Sequence, residues 1–272
     1  IGDNAFGGFD GAGLNLTGEV ILPGKMEFLG RLAFGCCNHL TGRIVVPEGL
    51  TEVYPAWAPN MTGDVIIPQG VKKIHGLSGK VTSLYIPEGV EEIGYEAFWN
   101  ISTLKGALKI PNSVKKIGEK AFCETGLSHV KLPDNLEIIE SHTFHGCKYL
   151  QDTIVIPSTV IQIKNNAFSG CEKLTAVVLS EKLEEIQGWA FGNCRSLNYV
   201  RCLSKTPPIL AADAFNGVEK NNFTLVVPEG CVDAYRNADG WKEFKRISTY
   251  FNFVCRPMNA KLLNRSNTRT VV

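Results

Sequence analysis

The chain has 272 residues, of which 44% are hydrophobic and 20% are charged, a balance typical of a folded protein rather than a disordered chain. Its 28 basic and 27 acidic residues leave a formal net charge of +1, which argues against a nucleic-acid partner because phosphate binding needs a strongly basic surface. No apolar run approaches the roughly 18 residues of a membrane span, so we expect no membrane insertion by this segment.

The first residues fall in the middle of a repeated pattern. Ile1-Gly2 aligns with Ile117-Gly118, which lies inside a repeat unit. The chain starts without the basic and apolar leader of a signal peptide. We therefore expect it to be a fragment or a mature form of a longer protein.

A repeat organises the chain from its beginning to Pro228. Ten short apolar runs each end in a marker residue, and the markers are on average about 23 positions apart, within the period of leucine-rich repeats. The markers are Pro23, Pro47, Pro68, Pro87, Pro111, Pro133, Pro157, Ser180, Leu203 and Pro228. Proline suits this position because it ends a strand after its last pairing residue.

Each unit contains three further parts. An apolar-x-x-apolar step follows the marker, as in Val71/Ile74, and predicts a turn with a short strand. An aromatic residue then follows a small one, and we expect these aromatics to stack as one ladder: Phe6, Phe34, Trp57, Phe98, Phe122, Phe144, Phe168, Phe191 and Phe215. The unit between Pro68 and Pro87 has no such aromatic, and Leu77 is its expected substitute.

The third part is a Cys-x-x-Leu step that leads into the strand before the next marker. Side chains alternate between the two faces of a strand, so Val130 and Leu132 should point inward and Lys131 outward. One unit cannot bury such a face alone, so the units must stack as a solenoid. We predict a leucine-rich-repeat solenoid over residues 1–228, with about ten rungs of parallel β-strands, short turns and little helix.

Charges at the apolar-x-x-apolar step support stacking in register. Its two middle positions read Lys72-Lys73, Glu91-Glu92 and Lys115-Lys116 in consecutive units. Stacked rungs place these side chains about 5 Å apart, where opposite charges attract and like charges repel. We interpret the alternation as structural.

The repeat ends after Pro228. Residues 229–247 place Val232 and Tyr235 on one helical face, followed by Trp241, Phe244 and Ile247, and predict a small helical cap. Residues 248–272 contain four basic and no acidic residues. They form a basic tail of unknown role.

The aligned units, most plainly KIPNSVKKIGEKAFCETGL and VIPSTVIQIKNNAFSGCEKL, resemble the BspA-like family of leucine-rich repeats. The resemblance extends over roughly residues 1–247. It implies a secreted or cell-surface location and adhesion to proteins of a host or of neighbouring cells. It implies no enzymatic activity, and the ligand differs between members.

The cysteines invite a metal or redox interpretation. Cys37, Cys147, Cys171 and Cys194 each follow a ladder aromatic by three positions. Stacked in one line, they cannot converge tetrahedrally as zinc requires, so we interpret them as small buried hydrophobic residues. Cys123 and Cys202 are expected in the core too. Among Cys36, Cys231 and Cys255, one pair could form a disulfide in an exported protein.

Other chemical motifs are weak. His142, His145 and Cys147 lie within six residues, but Phe144 is a ladder aromatic, so we expect both histidines in a turn facing solvent. The glycines from Gly8 to Gly13 do not match a dinucleotide-binding loop, and no GxSxG or P-loop motif occurs. We expect no enzyme, no metal site and no cofactor.

The outward side chains of the strands are the candidate binding surface. The side chains two positions before each marker form a column along the solenoid. The column begins with Ile21 and Val45 and ends with Val178 and Val226. It is therefore apolar at both ends. Basic side chains occupy its middle. The candidate ligand-binding residues of this surface are Tyr85, Lys109, His129, Lys131, Tyr199 and Arg201. The alternative is that β-branched residues merely favour strands.

Three functions remain open. The first is a cell-surface protein-protein interaction module, an adhesin that binds an extracellular or surface protein of a host or neighbouring cell through the strands. The second is a glycan-binding module, although only Tyr85 and Tyr199 offer aromatic platforms on that surface. The third is a rigid spacer in a longer surface protein.

Overall fold

The computed structural model describes residues 1–7, 15–220 and 223–249. Over these residues the chain winds into a solenoid of about ten turns with almost no helix, as predicted. In chain order its elements are β1 (Gly18–Glu19), β2 (Leu40–Thr41), β3 (Glu52–Val53), β4 (Thr62–Ile66), β5 (Lys73–Ile74), β6 (Lys80–Tyr85), β7 (Glu92–Ile93), β8 (Lys105–Lys109), β9 (Lys116–Ile117), β10 (Gly126–Lys131), β11 (Ile138–Ile139), β12 (Asp152–Val155), β13 (Gln162–Ile163), β14 (Leu174–Leu179), β15 (Glu185–Ile186), β16 (Tyr199–Cys202), β17 (Ile209–Leu210), β18 (Thr224–Val227), α1 (Val232–Asn237), a 3₁₀ turn (Trp241–Glu243) and β19 (Arg246–Thr249).

The strands form two faces of the solenoid, and all their pairings are parallel. The first face carries the strands that precede the markers. In the described part of the chain it divides into β1-β2, β4-β6, β8-β10 and β12-β14-β16-β18-β19. The second face carries two-residue strands in the orders β3-β5-β7-β9 and β11-β13-β15-β17.

The strands of the first face show the predicted alternation. Leu132 is buried, Val130 is partly buried against the core, and Lys131 between them is exposed. Most of the prolines that end these strands are buried as well. The periodic sequence therefore fixes which side chains enter the core.

The second face confirms the predicted alternation of charge. Glu52, Lys73, Glu92 and Lys116 are partners in register on four neighbouring strands. The Nζ atom of Lys73 lies 3.1 Å from a carboxylate oxygen of Glu92, and that of Lys116 lies 3.7 Å from the other oxygen. These partly exposed pairs stabilise the stacking by a modest amount each.

The aromatic ladder runs through the core. From Phe98 to Phe215, successive phenylalanine rings are stacked with centroids 5.1–5.5 Å apart. Phe6 and Phe34 stack at 5.0 Å at the other end. Such offset aromatic pairs add to the free energy of burial.

Two turns interrupt the ladder. Trp57 occupies the aromatic position in one, and Leu77 does so in the next. The amide of Leu77 donates to the carbonyl of Ala97 at 2.9 Å, as the amide of Phe34 does to that of Ala56 at 2.8 Å. The predicted substitution by Leu77 is confirmed.

The C-terminal end is closed by side chains from α1 and the segment after it. Tyr235 and Trp241 are fully buried, and the Trp241 ring nitrogen donates to the carbonyl of Pro208 at 2.7 Å. Phe244 meets the last ladder ring, Phe215, edge to face at 5.4 Å. The predicted small helical cap is confirmed in α1, and β19, which was not expected, adds a strand to the first face. Ser248 and Thr249, placed in the tail by the sequence, belong to that strand, and residues 250–272 lie outside the described residues.

Candidate functional site

Four large apolar side chains project into solvent from consecutive turns of the first face. The exposed fractions are 90% for Ile21, 60% for Val45, 67% for Ile66 and 58% for Tyr85. Ile66 and Tyr85 are turned outward by the alternation along β4 and β6 and are direct partners in register. Ile21 and Val45 occupy the equivalent positions after β1 and β2. We call these four residues the apolar row.

Two cavities open beside the apolar row. One, of about 320 Å³, lies against Ile21 and Val45 and reaches the buried side chains of Trp57 and Met61. The other, of about 280 Å³, lies between Val45 and Ile66. They coincide with the break between β2 and β4, where one bridge stands in place of a continuous ladder of hydrogen bonds.

Basic side chains follow the apolar row along the same face. Lys109 and Lys131 are exposed and directly opposite each other on β8 and β10. His129 is also on β10, with Nε2 3.0 Å from a carboxylate oxygen of Asp152 and Nδ1 3.0 Å from the Ser128 hydroxyl. A shallow cavity of about 250 Å³ touches Lys109, His129 and Lys131. The structure therefore brings together three of the six predicted site residues, next to Tyr85.

Tyr199 and Arg201 lie elsewhere on the face. Both are on β16, three strands beyond β10, or about 14 Å at the usual strand spacing. Both are only partly exposed. The column was expected to point outward at its C-terminal end, and this holds only in part: Val155 is 59% exposed, but Val178 is partly buried and Val226 is 7% exposed. The reason is β19, which places Val226 between two strands instead of at an edge.

The cysteines occupy the core, as predicted. Cys37, Cys147, Cys171 and Cys194 are fully buried. Each thiol also donates to the carbonyl of the ladder aromatic one turn earlier, for example Cys147 to Phe122 at 3.1 Å and Cys171 to Phe144 at 3.3 Å. The repeat pattern alone does not predict these bonds. Burial raises the pKa of the Cys147 thiol to about 11, which makes it a poor nucleophile or metal ligand.

The two histidines near Cys147 require a correction. His142 and His145 do not simply face solvent: both are partly buried, and their rings meet edge to face at 5.5 Å. His142 has a φ of +56°, as does the equivalent residue of other turns, for example Lys120 at +57°. Burial and the neighbouring His142 lower the pKa of His145.

No cluster of three or more His, Cys, Asp or Glu side chains in residues 1–7, 15–220 and 223–249 is arranged to hold a metal ion. Among the other cysteines, Cys123 and Cys202 are buried, as predicted, and Cys36 and Cys231 are free thiols. Cys255 and the glycines from Gly8 to Gly13 fall outside the described residues.

An aromatic cluster on the second face was missed. Tyr54 and His75 are stacked with centroids 4.2 Å apart, and both hydrogen-bond the Glu52 carboxylate, at 2.6 and 2.9 Å. The hydrogen bond from Tyr54, followed by that from His75, lowers the pKa of Glu52. Tyr54 directly follows Val53 and His75 directly follows Ile74, so both rings occupy the same position of the repeat. This shared position is the sequence signal that indicates the cluster.

Within the described residues, no helix has the length and apolar character needed to cross a membrane.

Comparison with known proteins agrees with this architecture. A solved leucine-rich repeat protein from Bacteroides ovatus ATCC 8483 is similar over 87% of this chain and 69% of its own, with a TM-score of 0.56 and 19% identity, which supports the fold alone. A leucine rich cell surface protein from Faecalibacterium prausnitzii A2-165 is 20% identical over 64% of this chain and 68% of its own, with a TM-score of 0.43. A leucine-rich repeat protein from T. pallidum is 28% identical over 61% of this chain and 83% of its own, with a TM-score of 0.47.

No protein of curated function matches the chain in sequence. A family model described as a BspA type leucine rich repeat region of six copies matches residues 1–105, 72–198 and 151–227. These matches span nearly the whole solenoid and the same repeated units that the structure stacks. The chain therefore belongs to the BspA-type leucine-rich repeat family.

Proposed function

We propose that this protein is a cell-surface interaction module that binds a partner protein through the N-terminal half of its first face. The observation that carries the proposal is the apolar row, whose four large side chains are each more than half exposed. Contiguous exposed apolar surface is a mark of recognition surfaces. Val155, at the equivalent position of β12, is also 59% exposed, but it stands alone between the charged Lys131 and the partly buried Val178, whereas the apolar row occupies four consecutive turns.

The pair of lysines on β8 and β10 indicates a second chemical property of the partner. Like charges directly opposite each other on paired strands are destabilising, yet Lys109 and Lys131 are such partners. The second face, in contrast, alternates Lys73 with Glu52 and Glu92. An acidic group of a partner placed between the two lysines would turn this repulsion into attraction. We infer a partner segment with apolar side chains next to an acidic one.

The family and one relative support the location. Proteins of this repeat family have binding or structural roles and not catalytic ones, and the Faecalibacterium relative is a cell surface protein. We propose that this protein also acts outside the cell, as an adhesin for proteins of a host or of neighbouring cells.

Binding to a panel of purified extracellular-matrix proteins, measured by biolayer interferometry, tests whether the first face is the binding surface. Ile66→Glu combined with Tyr85→Ala should weaken binding at least tenfold, since buried apolar anchors carry most of the binding energy. Ile209→Glu is the matched control, because Ile209 is 72% exposed but lies on the second face.

A second pair of variants tests the charge. Lys109→Glu combined with Lys131→Glu should reduce the rate at which the partner associates, most strongly at low salt. Lys115→Glu combined with Lys182→Glu is the control. It changes the net charge by the same amount, at exposed positions that are not on the strands of the first face. If the controls weakened binding as much as the first-face variants, the assignment of this face would be wrong.

A further inference from the structure

The turn that contains Phe122 is shorter than the turns on either side of it. Pro133 follows the ladder residue Phe122 by 11 positions, whereas 13 positions separate the ladder residue from the proline in the turns before and after it. A shorter turn cannot reach as far out from the core as the turns that flank it.

The shortening begins at the corner that leads into the first face. Gly126 alone connects Thr125 to Leu127, where the preceding turn has Ser102-Thr103 and the following turn has Lys148-Tyr149. The chain takes the short route because Gly126 has no side chain: a Cβ atom there would lie 2.5 Å from the Ser102 carbonyl oxygen. One corner is therefore recessed between two full ones.

The recess forms a cavity of about 270 Å³, which we call the notch. The two full corners form its walls, about two strand spacings or 10 Å apart. The notch is lined by Asn100, Ser102, Glu124, Gly126, Lys148 and Tyr149, among others.

The Tyr149 ring is held with one face toward the notch. The Nζ atom of Lys173, at the equivalent position one turn later, lies 5.0 Å from the ring centroid. The notch is on the side of the preceding turn, so the lysine covers one face of the ring and leaves the other available. Tyr149 is 54% exposed, and the cation favours this orientation of the ring by about 0.5–1 kcal/mol.

These groups match the needs of a sugar ring. The C–H groups of a pyranose pack on the electron-rich face of an aromatic ring, while its hydroxyls need both donors and acceptors. The Glu124 carboxylate accepts, the Lys148 ammonium donates, and the Asn100 amide does both. A few placed polar groups around an apolar contact are typical of small-ligand sites.

We propose that the notch binds one sugar residue of a glycan. The site lies at a corner of the solenoid, away from the apolar row, and does not depend on the protein-binding function proposed above.

Saturation-transfer NMR with four methyl glycosides, of mannose, galactose, N-acetylglucosamine and fucose, tests the proposal on the full chain. We expect transfer to the ring protons of at least one glycoside at millimolar concentration. Tyr149→Ala should weaken its binding at least tenfold. Ser102→Trp, at an exposed wall position, should do the same by filling the notch, and it provides a second variant if Tyr149→Ala perturbs folding.

Tyr95→Ala is the matched control. Tyr95 is 59% exposed and has Lys120 over its ring at 5.6 Å, but it does not line the notch. Its replacement should leave binding unchanged. Absence of transfer from all four glycosides overturns the proposal, as does an equal loss in Tyr95→Ala and Tyr149→Ala. Binding of a protein partner to the apolar row would persist in either case.

Discussion

The first four turns and the last five turns are built from the same repeat but packed differently. In the last five, five strands form one continuous sheet and the phenylalanine rings stack without interruption. In the described part of the first four, the first face is split into two-stranded sheets, and Trp57 and Leu77 replace phenylalanine. The exposed apolar row and its two cavities therefore belong to the irregular region, while the last five turns are packed regularly.

The largest expected effect tests whether the regular region is more tightly packed. Phe144→Ala should lower the free energy of unfolding by about 3–5 kcal/mol, because Phe144 is buried and stacks on Phe122 and Phe168. Phe34→Ala should cost less, since Phe34 stacks on Phe6 and its other neighbour in the ladder is Trp57. Urea unfolding followed by circular dichroism measures both losses. Equal losses would remove the distinction between the two regions.

Thiol reactivity gives the next largest contrast. Burial raises the pKa of Cys147 to about 11 from an ordinary value of 9.0, which reduces its thiolate at pH 8 about a hundredfold. Cys36, in the irregular region, is partly exposed. We expect iodoacetamide to alkylate Cys36 at least a hundredfold faster, as measured by mass spectrometry of peptides. Comparable rates would mean that the regular region opens readily.

Charge reversal on the second face should have a smaller effect. Lys73→Glu places a third carboxylate between Glu52 and Glu92 and should cost about 0.5–1 kcal/mol. Gln162→Glu, in the other sheet of this face, gains one acidic neighbour, Glu185, and should cost less. Thermal unfolding at low and high salt measures both, and the difference should shrink in 1 M NaCl. A difference that does not depend on salt would rule out charge as its cause.

The smallest effect concerns Glu52. Tyr54→Phe removes the strongest of the hydrogen bonds that lower its pKa, so the pKa should rise toward the ordinary value. Because the pKa is lower in the folded state, this bond stabilises the protein above the ordinary glutamate pKa, and the stabilisation is lost as the pH falls through the folded-state pKa. Carboxyl NMR titration measures the shift. An unchanged pKa would assign the effect to His75 instead.

The sequence predicts those features that depend on the period of the repeat. The ladder, the buried cysteines and the alternation of Lys73 with Glu92 follow because equivalent positions in stacked units must be neighbours. The exposure of Val226 was predicted wrongly, because it depends on β19, which has no counterpart in the repeat.

The backbone at the residue before the small-aromatic pair could not be predicted from every unit. Leu32, Glu96, Lys120 and Trp189 all have φ between +50° and +57°, a conformation that such residues rarely adopt. The signal lies in the equivalent Asn4, His142 and Asn166 of other turns, which have the same conformation and belong to residue types that adopt it more readily. The short turn beside the notch is visible in the sequence, where Pro133 follows Phe122 by 11 positions, but the cavity depends on how far the neighbouring corners project.

The thiol-to-carbonyl bonds of Cys147, Cys171 and Cys194 all run in one direction, from each turn to the one before it. Each of these units thus carries the donor for its predecessor and, at its own aromatic residue, an acceptor for its successor. A duplicated unit inserted beside its original would find both partners already in place. Such a unit would therefore keep this bond on both sides, whereas on the second face, where Lys73 alternates with Glu52 and Glu92, it would set like charges side by side.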